Sequence, residues 1–96
     1  MLTDREKSLI YDSYFRIEKL IEDELEDYAE VLSLNTGHFW AVRKRGEKII
    51  LGHKYPGQAS FHKQAECCSI RQAVKLIREH DMYMMRATSV PIIIGR

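Results

Sequence analysis

The sequence predicts an α+β fold: a helix, a three-stranded antiparallel sheet, a second helix and a C-terminal edge strand, with the helices packed on one sheet face. Three observations predict it. A capping box at Thr3 and Glu6 opens a long stretch with apolar residues at helical spacing. Two alternating stretches meet at Gly46 within HFWAVRKRGEKIILGHKY, and a second box, Ser69 with Gln72, opens another helical pattern.

In the first stretch Ile10, Tyr14, Ile17, Ile21, Leu25, Tyr28 and Leu32 recur three or four residues apart, with Leu9, Leu20 and Val31 widening the stripe, so one amphipathic helix is expected over 4–33. Asn35-Thr36-Gly37 supplies the left-handed conformers that end helices. Phe39–Lys44 and Lys48–Tyr55 then read as two strands, and Gly46 takes the positive φ that a two-residue hairpin turn demands. Pro56-Gly57 reverses the chain again, and Ser60–Cys67 is a third strand. After Ser69, Ile70, Ala73, Val74 and Ile77 lie on one helical face. The apolar stretch from Met82 and the run Val90–Ile94 suggest a final extended segment, placed at an edge because Pro91 has no N–H to give a ladder.

If Gly46 and Glu47 form the turn, Arg45 faces Lys48, Arg43 faces Ile50 and Trp40 faces His53. Alternation then puts His38, Trp40, Val42, Lys44, Ile49, Leu51, His53 and Tyr55 on the face that receives the helices. The predicted core is Trp40, Val42, Ile49, Leu51, Ile17, Ile21, Val74 and Ile77. Phe39, Arg43, Arg45, Lys48 and Lys54 fall on the other face, around Ile50. Cations on a wet sheet face are ordinary; what distinguishes these is that Glu47 is the only carboxylate between positions 31 and 65. Cations beside an aromatic ring, without acids to neutralise them, suit phosphates and stacked bases.

Ninety-six residues, 45% of them hydrophobic and 30% charged, fit a single small domain over 1–96. Neither a spanning apolar run nor a secretory leader is read at the N-terminus, so no membrane role and a cytoplasmic setting are expected. The adjacent cysteines Cys67 and Cys68 cannot form an ordinary structural disulfide loop, which agrees with a reducing compartment. The net charge of +1 conceals two halves: residues 1–34 hold ten Asp or Glu against four Lys or Arg, and residues 35–96 hold four against eleven.

The expected element order over residues 4–80 resembles double-stranded RNA-binding domains, and the three-stranded-sheet DNA-binding domains of tyrosine integrases and plant ethylene-response factors. The resemblance implies a nucleic-acid partner. It is one of order alone: where the RNA-binding family opens its second helix with adjacent lysines, this chain has Arg71 and Lys75.

Other chemistry finds less support. No C-x-x-C or H-x-x-x-H spacing is present, and Cys67 and Cys68 on a strand point to opposite faces, so no metal site and no cofactor are expected. His80, placed at a helix end, has a structural role as a cation favoured by the dipole. No catalytic motif surrounds the cysteines, and the glycines form no phosphate loop, so the protein is read as non-enzymatic. The leading expectation is therefore a small binding protein for DNA or RNA. The alternative is an inhibitor or adaptor that presents an acidic helix, with Glu22, Asp23, Glu26, Asp27 and Glu30, to a basic protein. An edge strand at the C-terminus would also offer backbone to a second copy, which favours a homodimer through residues 83–94.

Overall fold

Five antiparallel strands, not three, form the body of the protein, joined in chain order as a meander. The computed structural model describes residues 2–22 and 27–94, the last eight as backbone only. Helix α1 (Asp4–Ile10) precedes β1 (Phe15–Glu22), β2 (Asp27–Ser33), β3 (Phe39–Arg45), β4 (Lys48–Lys54) and β5 (His62–Cys67), and α2 (Ile70–Ile94) closes the chain.

The capping box starts α1 as expected: Glu6 N–H donates to Thr3 Oγ1 at 3.1 Å and Thr3 N–H donates to Glu6 Oε1 at 2.9 Å. The helix does not continue to residue 33. Asp12 ends the reversal after it by accepting from the Tyr14 N–H at 2.9 Å, an Asx turn that competes with helix, and Phe15 enters the sheet. In β1, Ile17 pairs with Val31 and Lys19 with Glu30, so Glu18 is the extra residue of a bulge. The bulge breaks the two-residue period and produces the three- and four-residue apolar spacing of a helix. In β2 alternation is strict, but the inward residues are Asp27, Ala29, Val31 and Ser33, while Tyr28 and Leu32 are half-buried on the outer face. Ile21, expected in the core, is 40% exposed and pairs with Tyr28.

The β3–β4 hairpin has the expected register: Arg45 pairs with Lys48, Arg43 with Ile50 and Trp40 with His53. Gly46 turns it at φ +56°, where a side chain would be strained. Trp40, Val42, Ile49 and Leu51 are buried against Ile70, Ala73, Val74 and Ile77 of α2, and Leu2, Ile10 and Phe15 complete the same core. Lys44, at the border of this face, ties β3 to α1 by donating to both Glu6 oxygens at 2.7 and 3.0 Å.

Ser69 caps α2 by accepting from the Gln72 N–H at 3.0 Å, while the Gln72 side chain bonds to Cys68 rather than back to Ser69. No turn residue interrupts the chain between Asp81 and Ser89, and an established helix adds residues without a new nucleation cost. Helical backbone accordingly runs through Pro91 to Ile94 where an edge strand was expected, and His80 stands mid-helix rather than at its end. The edge-strand argument for a homodimer through residues 83–94 goes with it. No described helix is long and apolar enough to cross a membrane.

Asp81 pins α2 to the sheet. It is fully buried and accepts from Tyr14 Oη at 2.6 Å, from Thr36 Oγ1 at 2.9 Å and from Ser33 Oγ. These donors come from the entry to β1, the end of β2 and the turn before β3, so one side chain gathers three segments. Replacing it leaves the buried Ser33 hydroxyl and the half-buried Tyr14 and Thr36 hydroxyls without this acceptor. Asp81→Ala is expected to cost about 3 kcal/mol or more of unfolding free energy, and Thr36→Ala, which removes one donor, about 1 kcal/mol. Urea denaturation checks the order; equal costs would contradict it.

Candidate functional site: a cationic sheet face and a buried histidine cluster

The meander has a covered face and an open one, and the candidate chemistry divides between them. On the open face the five residues expected there lie together. Phe39, Arg43 and Lys54 are half-buried, and Arg45 and Lys48 are exposed near the hairpin turn. The Lys54 ammonium stands 4.8 Å from the Phe39 ring centroid and 4.9 Å from that of Phe61. The Arg43 guanidinium stands 4.9 Å from the Tyr28 ring. Cations are thus held over aromatic faces, Arg43 within β3 and Lys54 at the end of β4, with the attraction of charge for a ring quadrupole fixing their direction.

Cross-strand pairing brings Arg16, Lys19 and Lys63 to the same face, and also Glu30 and Glu66. The acid-free stretch in sequence is therefore not an acid-free surface, because β2 and β5 flank the hairpin and each contributes a glutamate. The two edge cations are matched locally, Arg16 with Glu18 at 2.8 Å and Lys63 with Glu66 at 2.7 Å. Glu30 accepts from Tyr28 Oη at 2.6 Å; burial first, and this bond second, push the Tyr28 hydroxyl up to about 12. Ala41 and Gly52 form the floor of a hollow of about 190 Å³ walled by Tyr28, Arg43, Ile50, Phe61 and Lys63. Small-molecule pockets run from roughly 300 Å³ upward, so this depression suits one planar group more than an enclosed ligand.

Among the described residues the acids expected on a helix lie on strands instead. Glu22 ends β1 and bonds to Lys7 at 2.8 Å, Asp27 is buried at the start of β2 opposite Lys44, and Glu30 belongs to the open face. Asp23 and Glu26 lie outside the described residues.

The covered face holds what sequence spacing did not reveal. His38, just before β3, His53 in β4 and His80 in α2 converge, with one ligating nitrogen from each ring within 4.8 Å of the others. His38 Nδ1 and His53 Nε2 are 2.9 Å apart, one donating to the other. Trp40 and Tyr55 wall the cluster: their ring centroids lie 4.5 and 4.6 Å from that of His53. Among the described residues this trio is the set that could hold a metal ion. Its signal was present but dispersed. His38 and His53 alternate onto the helix face with Trp40, and His80 continues the inward stripe of Ala73 and Ile77.

No protein-family model matches the chain, and no curated protein or solved structure shows significant similarity to it.

Burial is the main cause that lowers the His53 pKa to about 4, reinforced by His80, His38 and His62 and opposed by Asp81. His38 is lowered for the same leading reason. The unfolded chain therefore takes up protons near pH 6.5 that the folded protein refuses until about pH 4. Stability is fully present above pH 6.5 and is lost as pH falls through this window. In metal-free buffer the His53 effect alone should lower the unfolding free energy by about 2 kcal/mol between pH 7.5 and 5, a range that leaves most carboxylates ionised. A flat profile by urea titration over that range would contradict the burial of neutral imidazoles.

Proposed function

We propose that the protein binds single-stranded nucleic acid, without catalysis, on its open sheet face through Phe39, Arg43, Arg45, Lys48 and Lys54. The observation that carries this reading is the placement of Lys54 between the Phe39 and Phe61 rings, beside the Ala41–Gly52 depression. A cation beside half-buried aromatic rings provides a phosphate contact and a stacking surface in one place. The face is shallow and none of the described elements covers it, as an extended strand requires. Free thiols at Cys67 and Cys68 suit a reducing compartment, and we take the cytoplasm as the setting. The inhibitor reading draws less support, since of its carboxylates the described ones, Glu22, Asp27 and Glu30, lie on strands and Asp27 is buried.

Fluorescence anisotropy with labelled single- and double-stranded DNA and RNA tests the proposal. Four engaged cations give a slope of about −3 in log affinity against log salt, so affinity for a single strand should fall about 50-fold between 50 and 200 mM salt. Phe61→Ala and Phe39→Ala should each weaken binding by about tenfold through lost stacking, with little change in that slope. The exposed double variant Arg45→Glu, Lys48→Glu should reduce both affinity and slope. No binding to any of the four probes at 50 mM salt would overturn the proposal.

A further inference from the structure

We propose that His38, His53 and His80 form a binding site for a divalent first-row transition-metal ion, for which Zn²⁺ is the test probe. The site lies on the opposite face of the sheet from the nucleic-acid surface and does not depend on that reading.

The ligand set argues for this class of ion. Imidazole nitrogens suit zinc, copper, nickel and cobalt, whereas magnesium and calcium take oxygen ligands. Zinc–nitrogen bonds of about 2.0–2.1 Å in a tetrahedral arrangement place nitrogens about 3.3 Å apart. The 2.9 Å His38–His53 contact must open slightly, and the widest separation, at most 4.8 Å, must close by ring rotation. Three separate elements supply the rings, so the ion would clasp α2 to the hairpin as well as fill the site.

Two further observations point into the cluster. His80 Nδ1 is buried and has no hydrogen-bond partner among the described residues. A buried polar atom normally finds a partner, so a ring in this state is incomplete without a proton acceptor, a water or an ion. Beside the cluster, a hollow of about 180 Å³ lined by Asn35, Thr36, His38, Met84 and Met85 gives access to His38 from solvent. Three protein nitrogens with an accessible side is the arrangement that leaves a coordination position open to water, in contrast to a closed four-ligand structural site. The shell is also built to hold the rings in place. Tyr55 packs edge-on against His38 at 4.8 Å and Trp40 against His80 at 5.0 Å, while Asp81, next to His80 in the chain, fixes that turn of α2 through its three hydroxyl donors.

The full chain, stripped with chelator, is titrated with Zn²⁺ by calorimetry and with Co²⁺ by absorption spectroscopy. One ion per chain should bind with micromolar affinity or better, and Zn²⁺ should raise the melting temperature. His80→Gln and His38→Gln should each weaken binding at least 30-fold while retaining the circular dichroism of the parent. His62→Gln, which alters a neighbouring exposed ring outside the trio, should change affinity less than threefold. The Co²⁺ spectrum of the unaltered chain needs no variant: an imidazole site shows ligand-field bands without thiolate charge transfer. Absence of saturable binding, retention of full affinity in both His38→Gln and His80→Gln, or a thiolate band that vanishes in Cys68→Ser would each overturn the proposal.

Discussion

The pairing of Trp40 with His53 across the β3–β4 hairpin is the constraint on which both faces of the sheet depend. Because side chains alternate with a period of two, a slip of one residue between β3 and β4 would turn one strand over, carrying either Trp40 and Val42 to solvent and Arg43 into the core, or Leu51 to solvent and Lys54 into the core. Burying such a cation without a partner would cost far more than the sheet could offset, so the register has no close competitor. Once it is set, the histidines share the covered face with Trp40, and the cations share the open face with Phe39. The two candidate sites are consequences of one alignment, separated by the thickness of a single sheet.

The covered face is polar for a core. Asp81, Ser33, His38 and His53 are all buried, and they lie toward the end of the inner layer where α2 passes the turn at 34–37. The other end is mostly apolar, with Val42, Ile49, Ile70 and Ile77, and takes in one buried acid, Asp27. Apolar burial supplies most of the attraction between α2 and the sheet, whereas the Asp81 hydroxyl contacts determine where along the sheet the helix rests. The orientation of His80 follows from that anchoring. Sequence, packing and site geometry are therefore joined through one turn of α2.

The hairpin was legible because Gly46 marks the turn and large apolar residues alternate on both sides of it. The opening of α2 was legible from Ser69 and the Ile70, Ala73, Val74, Ile77 stripe, and that of α1 from Thr3 and Glu6. β1 and β2 were not, for physical reasons that act in the same direction. The bulge at Glu18 resets the phase of β1, and β2 buries Asp27 and Ser33 while Tyr28 and Leu32 face outward, so hydrophobicity and burial disagree along the strand. The C-terminal segment departs from the expected edge strand because nothing upstream stops the helix, and Pro91 alone does not set the backbone. Of the candidate sites, the cationic face could be read from alternation alone. Its neutralising glutamates could not: Glu30 arrives on β2, which has the apolar spacing of a helix, and Glu66 lies on the expected third strand, whose register against β4 no turn residue specifies. The histidine trio was invisible to motif spacing because its members come from three elements and meet only when α2 is docked.

Nuclear Overhauser contacts from the single indole test the two-faced arrangement most directly. With Trp40 ring centroids 4.5 Å from His53 and 5.0 Å from His80, the indole protons should show contacts to both imidazoles, and the Lys54 methylenes should be shifted upfield by Phe39 and Phe61. Indole contacts to the Phe39 ring or the Lys54 side chain, with none to His53 or His80, would place Trp40 on the open face and contradict the account.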